Sequence, residues 1–212
     1  MSSDAVDLSV IVVTFNSRDV IGECLKSIGD SVREVIVVDN ASTDDTQAVV
    51  ADHQQRHPEC RVRLVRNPRN MGYGCASNLG LKEAQTRYAL LINPDIRIFG
   101  QQLQELRKHA HLAPVVAPDI VTDSGRSEQK LGPRIAEETT EYCEVPWVVG
   151  AAMLFDRETA PRFDENIFLF FEETDLCRRV DKIVVIPAIQ VTHHSGHSSG
   201  SDLSVDYLKG WH

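Results

Sequence analysis

The amino-acid sequence predicts an α/β domain with a mostly parallel central sheet and helices on both of its faces. Short apolar runs rich in Val and Ile, LSVIVVT at 8–14 and EVIVV at 34–38, are typical of strands buried on both faces. Stretches with helical spacing separate these runs. Repeated βαβ units of this kind indicate parallel strands joined by right-handed crossovers.

The predicted elements alternate through the first half of the chain and become less regular after it. Pro58 ends the second predicted helix, because proline cannot continue the backbone hydrogen bonding. The polar stretch 119–145 predicts a long excursion over the face that carries the site, and residues from His193 onward are expected to form a loop. We expect strands at 8–14, 34–38, 61–65, 88–92, 115–117, 147–155 and 183–186, and helices at 20–28, 45–57, 74–84, 101–111 and 172–180.

Composition and charge narrow the class of protein. The chain has 212 residues and a formal net charge of −9, which argues against the clustered basic surface that nucleic acid binding needs. Nucleotides stay compatible with this charge, because a metal ion held on carboxylates can bridge to their phosphates. Five scattered cysteines predict a reduced compartment, and no apolar run approaches the roughly 20 residues that span a bilayer. A soluble protein without a signal segment is therefore expected.

Polar side chains follow three of the predicted strands. Thr14 and Asn16 follow the first, Asp39 follows the second, and Asp95 follows the fourth. In open parallel sheets, ligands bind outside the carboxyl ends of the strands, so these residues are expected to share one rim. Asp39 is interpreted as an acceptor for a ribose hydroxyl or a base N–H, the alternative at this turn being a helix cap at Ser42 or Asp44.

Asp95 is interpreted as a ligand to Mg²⁺ or Mn²⁺ that also binds a pyrophosphate, the alternative being an ordinary turn residue. A glycine-containing segment from Asn70 through Gly72 to Asn78 opens the third helix and superficially resembles a dinucleotide fingerprint. It does not lie in the first βα turn, and Ser77 stands in place of the third glycine. These departures count against an enzyme that uses NAD.

Acidic residues cluster at the start of the predicted helix 172–180. Glu172, Glu173 and Asp175 follow the apolar stretch IFLFF, and Asp164 lies shortly before it. Like charges and partial burial raise a carboxyl pKa toward the range useful for a general base. The alternative is stabilisation of a first helical turn by acidic side chains. His193 could bind metal or phosphate or be a loop residue, and the cysteines lack the spacing of a zinc site.

The sequence resembles family-2 glycosyltransferases of the GT-A fold, particularly the rhamnosyltransferase-like group. The resemblance rests on seven segments that occur in the expected order through nearly the whole chain. They are SVIVVTFNS at 9–17, VIVVDNASTDDT at 35–46, NPRNMGYGCASNLGL at 67–81, LLINPDI at 90–96, VVGAAMLFDR at 148–157, FDENIFLFFEETDLCRR at 163–179 and HHSGHSS at 193–199.

The resemblance implies a role for each matched position. It implies a single domain over 1–212, with a nucleotide-binding half at 1–100 and an acceptor-binding and catalytic half at 101–212 that is short at its C-terminal end. Glu173 matches the catalytic base, with Asp175 as the second choice. The metal ligands would be Asp95 and His193, and the donor-binding residues would be Thr14, Asn16, Asp39, Asn70, Gly72, Asn78 and Glu172.

The implied reaction is transfer of a sugar, with inversion, from a dTDP- or UDP-sugar such as dTDP-rhamnose to a glycan or lipid-linked hydroxyl. A Mn²⁺ or Mg²⁺ ion would neutralise the leaving diphosphate, and a carboxylate would deprotonate the acceptor. By analogy, the protein would work in the cytoplasm or at the inner face of the membrane.

This chain departs from the family pattern in ways that affect the acceptor side most. Asn93 replaces the first Asp of the D-x-D element, Glu173 stands where Asp is commoner, and the segments at 119–145 and after Arg179 are short. Two alternatives stay open. One is a nucleotide-sugar-binding module of reduced activity that needs a partner chain. The other is a sugar nucleotidyltransferase, although the first turn lacks its glycine-rich basic loop.

Overall fold

A computed structural model of the protein describes residues 5–129 and 141–194. The strands in these ranges are β1 (Val6–Thr14), β2 (Val32–Asp39), β3 (Val62–Arg66), β4 (Tyr88–Ile92), β5 (Ile96–Arg97), β6 (Val115–Thr122), β7 (Cys143–Glu144), β8 (Ala152–Asp156) and β9 (Ile183–His193). The helices are α1 (Ile21–Ile28), α2 (Thr46–Arg56), α3 (Tyr73–Glu83), α4 (Gly100–His109) and α5 (Glu172–Arg178), and a short 3₁₀ turn covers Pro58–Cys60.

These strands form one mixed sheet in the order β3-β2-β1-β4-β8-β6-β9-β5, with β7 paired to β9. The four strands β3, β2, β1 and β4 run parallel to one another, as the alternating sequence predicts. β8 runs antiparallel to both of its neighbours, and β6 and β9 then resume the original direction. The sheet is therefore mostly parallel, and its reversal at β8 lies directly beside β4.

Both faces of the sheet are covered by helices, which explains why β1, β2 and β4 are apolar on both sides. One face packs against α1, α2 and α4 through side chains such as Leu25 and Leu103. The other face packs against α3 and α5 through side chains such as Leu81 and Leu176. Gly80 allows α3 to approach closely, because a Cβ at this position would lie 2.4 Å from Cγ2 of Ile11.

Three predicted strands differ from the observed ones by more than two residues at one end, and the short strands β5 and β7 are not predicted. β6 continues to Thr122 and β9 continues to His193, because their outer halves pair with each other beyond an irregularity at Pro118. The predicted strand 147–155 is confined to Ala152–Asp156. The prediction of a loop from His193 onward is wrong at that residue, which ends a strand.

The predicted excursion 119–145 is wrong in its first part, which is a continuation of β6 followed by a tight return. The N–H of Thr122 donates to the carbonyl of Arg126, and the N–H of Glu128 donates to the carbonyl of Ile120. This turn brings Glu128 back beside the sheet. Residues 130–140 lie outside the described residues, as does the segment 195–199 of the last matched motif.

In the described ranges, no helix is both long enough and apolar enough to cross a membrane. The five cysteines are free thiols, and all except Cys75 are buried.

Candidate active site

The ends of β1 and β2 place Thr14 and Asp39 side by side, as the parallel register pairs these two residues. Asp39 is fully buried, and its carboxylate accepts three hydrogen bonds. Oδ1 accepts from Oγ1 of Thr14 at 3.3 Å, and Oδ2 accepts from Nε2 of Gln47 at 2.7 Å and from the N–H of Ser42 at 3.2 Å. Burial without loss of hydrogen bonds fixes this carboxylate at the sheet edge.

Asn16 joins the loop after β1 to the loop after β2. Its backbone is left-handed, with φ of 50°, a conformation that asparagine tolerates better than most residues. Oδ1 of the Asn16 side chain accepts from the N–H of Thr43 at 2.8 Å. The backbone N–H of Asn16 donates to Oγ of Ser42 at 2.9 Å. Of the two residues considered as a cap for the following helix, Ser42 and Asp44, it is Asp44 whose Oδ1 accepts from a backbone N–H at the helix start, that of Thr46 at 3.0 Å.

Asn40 is a buried residue that the sequence interpretation missed. Its Oδ1 accepts from Nδ2 of Asn67 at 2.9 Å and from the N–H of Met71 at 3.0 Å. Its Nδ2 donates to Oδ1 of Asn70 at 2.7 Å and to the carbonyl of Gly72 at 3.2 Å. This one amide therefore ties the end of β2 to the segment that opens α3. An asparagine directly after a buried strand was the only sequence signal for it.

Gly72 and Asn78 contact the loop that leads to α5. Gly72 has φ of +84°, and a Cβ there would lie 2.3 Å from the carbonyl oxygen of Phe168. Asn78 accepts from the N–H of Phe163 and donates both to the carbonyl of Phe163 and to Oε1 of Glu165, each at 3.0 Å. The structure thus uses both residues to hold this loop, and their predicted contact with a nucleotide stays a prediction.

The two predicted metal ligands, Asp95 and His193, lie next to each other although 98 positions separate them in the sequence. Asp95 is fully buried just beyond β4, and its Oδ1 lies 3.3 Å from Nε2 of His193 at the end of β9. Nδ1 of His193 lies 2.7 Å from Oε2 of Glu128. The carboxylate of Asp95, followed by that of Glu128, raises the pKa of His193 to about 9 against the opposing effect of burial.

This arrangement fits a divalent ion that is completed by a substrate. Two ligands at right angles on an ion about 2.1 Å away lie about 3 Å apart, close to the observed Asp95–His193 separation. Over 5–129 and 141–194, no three His, Cys, Asp or Glu side chains form a metal cluster. Mg²⁺ and Mn²⁺ commonly take one or two protein ligands and fill the remaining positions with phosphate oxygens and water. Glu128 would orient the imidazole, as carboxylates do behind metal-bound histidines.

The carboxylates at the start of α5 differ in their surroundings. Glu172 is 6% exposed, and burial raises its pKa to about 7. Its Oε2 is enclosed and accepts no hydrogen bond from the described residues. Glu173 is half-buried beside Gly150, where an added Cβ would lie 3.2 Å from Cβ of Glu173. Asp175 is engaged in an ion pair with Arg179 at 2.6 Å, which leaves Glu173 as the better placed of the two predicted bases.

Two consecutive phenylalanines precede these carboxylates in a strained backbone. Phe170 and Phe171 have φ of 64° and 67°, and they are 57% and 75% exposed. A left-handed conformation at a bulky residue costs about 1–3 kcal/mol, and such strain clusters at ligand-binding sites. The fold therefore presents two apolar rings to solvent directly beside the glutamates.

The strand order, the reversal at β8 and the aspartate beyond β4 define a domain of the GT-A type, the fold class that the sequence predicts. Residues 9–173 match the family described as Glycosyl transferase family 2, and the chain belongs to that family.

Similar proteins are known by sequence and by structure. An N-acetylglucosaminyl-diphospho-decaprenol L-rhamnosyltransferase of Mycobacterium tuberculosis is 28% identical over 92% of this chain and 78% of its own length. The S. aureus TarS 1-349 structure in complex with UDP has a TM-score of 0.70 at 21% identity, over 89% of this chain. The structure of GalNAc-T7 with UDP, GalNAc and Mn²⁺ has a TM-score of 0.73 at 15% identity, over 99% of this chain. The match covers 60% and 49% of those two structures, so the chain is shorter than both.

Proposed function

We propose that this protein transfers a sugar from a nucleoside-diphosphate donor to an acceptor hydroxyl with inversion at the anomeric carbon. The observation that carries the proposal is the convergence of Asp95 and His193 at one edge of the sheet, with the loop that leads to Glu172 and Glu173 packed against the same rim. One side supplies ligands for a metal and a diphosphate, and the other supplies a base.

The donor side would hold the nucleotide along the ends of β1 and β2. Asp39 is fixed by its three donors and is a suitable partner for a ribose hydroxyl or a base N–H. Asp95 and His193 would hold Mn²⁺ or Mg²⁺, which supplies positive charge to the leaving diphosphate. The proton that His193 carries in the ion pair would be released when an ion binds, because a ligating imidazole must be neutral on that nitrogen.

Glu173 is proposed to deprotonate the acceptor hydroxyl. It lies in the first turn of α5. Its side chain is more accessible than that of the preceding residue, Glu172, which is buried. A base positioned opposite the leaving group permits one displacement, and one displacement inverts the anomeric configuration. Because a single displacement forms no covalent intermediate, this reaction needs no nucleophilic Cys or Ser.

A pyrimidine nucleotide is the proposed donor component, as UDP or dTDP. UDP is present in both of the similar structures named above, and the mycobacterial relative is named for L-rhamnose transfer to a lipid-linked sugar. We therefore place dTDP-rhamnose and UDP-sugars first among donors, and a lipid-linked or polysaccharide hydroxyl first among acceptors. The exposed rings of Phe170 and Phe171 are suited to pack against the apolar face of an acceptor sugar.

The proposal is tested by measuring release of the nucleoside diphosphate. The full chain is incubated with dTDP-rhamnose or a UDP-sugar, an N-acetylglucosaminyl-diphospho-lipid acceptor, and either Mn²⁺ or EDTA. Release that requires acceptor and metal, with an inverted linkage in the product by NMR, is the expected result. Absence of release with every donor, combined with no binding of any nucleoside diphosphate, would remove the transferase proposal.

A further inference from the structure

A second cavity lies away from the rim of Asp39 and Asp95, on the outer side of α3. It has a volume of about 460 Å³ and lies between α3 and the loop that follows β8. Its lining residues are Asn78, Lys82, Arg157, Arg162, Phe163 and Glu165. Three of these six carry a positive charge, in a chain whose formal net charge is −9.

The three cations of this cavity lack counter-ions in the part of the chain that the structure describes. The ion pairs of the described residues include none with Lys82, Arg157 or Arg162. Glu165 is the one carboxylate among the lining residues, and its Oε1 already accepts from Nδ2 of Asn78 at 3.0 Å. The cavity therefore holds more positive than negative charge, which is unusual beside partly buried guanidinium groups.

Arg157 is held in place by the main chain. Its Nε donates to the carbonyl of Leu81 at 2.7 Å, and its Nη1 donates to the carbonyl of Thr86. These bonds fix the guanidinium plane at the end of α3 without neutralising its charge. A rigid, positively charged donor of this kind loses little conformational entropy when it binds an anion.

Arg162 faces the same cavity with an incomplete set of partners. Its Nη1 is enclosed and donates to no acceptor among the described residues. Burial, and then the charge of Arg157, lower the pKa of Arg162. Two guanidinium groups thus repel each other in a partly desolvated place, and an anion between them would relieve both the repulsion and the missing hydrogen bond.

We propose that this cavity binds a phosphoryl group through Arg162, Arg157 and Lys82. Guanidinium forks match the oxygens of a phosphate, and three cations suit a group that carries up to two negative charges. The phosphoryl group could belong to a free phosphate compound or to the headgroup of an anionic lipid, and the two sources share this chemistry. The site differs from the proposed metal and diphosphate end of the donor site, because neither Asp95 nor His193 lines it, and it shares only Asn78 with the residues predicted to bind the donor.

The experiment uses the full chain in EDTA, so that metal-dependent phosphate binding at Asp95 does not contribute. Inorganic phosphate is titrated by calorimetry at constant ionic strength, and phosphatidylglycerol vesicles are compared with phosphatidylcholine vesicles by co-sedimentation. The variants are Arg162→Gln and Lys82→Gln, with Arg33→Gln as a matched control, because Arg33 is an exposed arginine outside this cavity. Arg162→Gln should fold with an unchanged or raised melting temperature in phosphate-free buffer, since it removes an uncompensated charge.

Phosphate affinity that falls about tenfold in Arg162→Gln, falls less in Lys82→Gln and is unchanged in Arg33→Gln supports the site. Additional binding to phosphatidylglycerol vesicles that is lost in Arg162→Gln assigns the lipid headgroup, and its absence assigns a free phosphate compound. Equal affinities of the wild type and Arg162→Gln for phosphate and for both vesicles would overturn the proposal. None of these outcomes depends on sugar transfer, so the site can fail while the proposed function holds.

Discussion

At the ends of β1 and β2, the proposed donor side of the site, the buried polar side chains bond to one another, whereas at the start of α5 the buried Glu172 has one carboxylate oxygen without a partner in the described ranges. Asp39 and Asn40 are buried with donors and acceptors matched. Glu172 is equally buried, yet its Oε2 accepts nothing and its pKa is raised to about 7. The exposed, strained Phe170 and Phe171 lie next to it.

This difference indicates which part of the site is complete in the isolated chain. A rim whose hydrogen bonds are satisfied holds its geometry before a ligand arrives, which lowers the cost of binding the donor. A buried carboxyl without a hydrogen-bond partner and two exposed rings on a strained backbone are unfavourable in free energy. A bound acceptor can reduce this cost by supplying a hydrogen bond and covering the rings. We therefore interpret the donor side at the ends of β1 and β2 as preorganised, and the start of α5 with the exposed rings before it as completed by a substrate.

The largest expected effect is on turnover. Glu173→Gln keeps the size of the side chain and removes the base, so the transfer rate should fall about 10²- to 10⁴-fold while nucleoside diphosphate binding stays unchanged. Glu158→Gln, at an exposed glutamate after β8, should change neither quantity. Steady-state kinetics and calorimetry measure the two. If Glu173→Gln retains the wild-type rate, the base has to be sought elsewhere on the acceptor side.

Gly72 contacts the loop that leads to α5, and we expect that this contact does not tolerate a methyl group at Gly72. Ala at this position would meet the carbonyl of Phe168 at 2.3 Å and would also have to adopt positive φ, so Gly72→Ala should cost roughly 3 kcal/mol of unfolding free energy. Gly125 is a matched control, since its φ is +77° but nothing lies within 4 Å of an added Cβ. Gly125→Ala should cost only about 1 kcal/mol. Equal costs in urea denaturation would contradict the close approach.

A pH-dependent loss of stability is expected from Glu172. Its pKa is raised to about 7 from 4.5, so the folded protein binds the proton more tightly than the unfolded chain does. The stability that this group contributes is present below pH 4.5 and is lost as the pH rises toward and through 7. Glu172→Gln should therefore gain stability relative to the wild type between pH 5 and pH 8, as measured by urea denaturation. A difference that stays constant over this range would show that Glu172 titrates normally.

The smallest expected effect is at Asn16. Asn16→Gly keeps the left-handed backbone accessible and removes the amide that accepts from the N–H of Thr43, so stability should fall by about 1 kcal/mol. UDP affinity should weaken by a few-fold, because the loops after β1 and β2 lose their link. Asn166→Gly, in the acceptor-side loop, should leave UDP affinity unchanged. A similar loss of UDP affinity in both variants would argue against a preorganised donor side.

The first half of the fold is predictable from the sequence because its signals are local. β1 and β2 are largely apolar runs that end at a polar residue, β4 is an apolar run that is followed directly by one, and the parallel topology brings these residues to one edge. The family resemblance implies that Asp95 and His193 both bind the metal, and the structure places them next to each other although 98 positions separate them and no spacing rule connects them.

The remaining features depend on long-range pairing that local patterns do not contain. The outer half of β9 is not predicted because Pro187 interrupts its apolar run, and it forms a strand by pairing with β6 and β5. Glu128 was missed because it lies in a polar stretch without periodicity, where the turn at Gly125 was the available signal. The burial of Glu172 and the positive φ of Phe171 arise only in the folded chain, and no single residue of the motif reveals them.

We propose that Asp95 and His193 form the metal and diphosphate end of a preorganised donor site. Calorimetric titration of UDP and dTDP, with Mn²⁺ and with EDTA, tests it on the wild type, on Asp95→Asn and on the exposed control Asp181→Asn. We predict that the wild type and Asp181→Asn bind one of the diphosphates at least about tenfold more tightly with Mn²⁺, and that Asp95→Asn loses this difference. Mn²⁺-dependent binding that survives unchanged in Asp95→Asn would contradict the account.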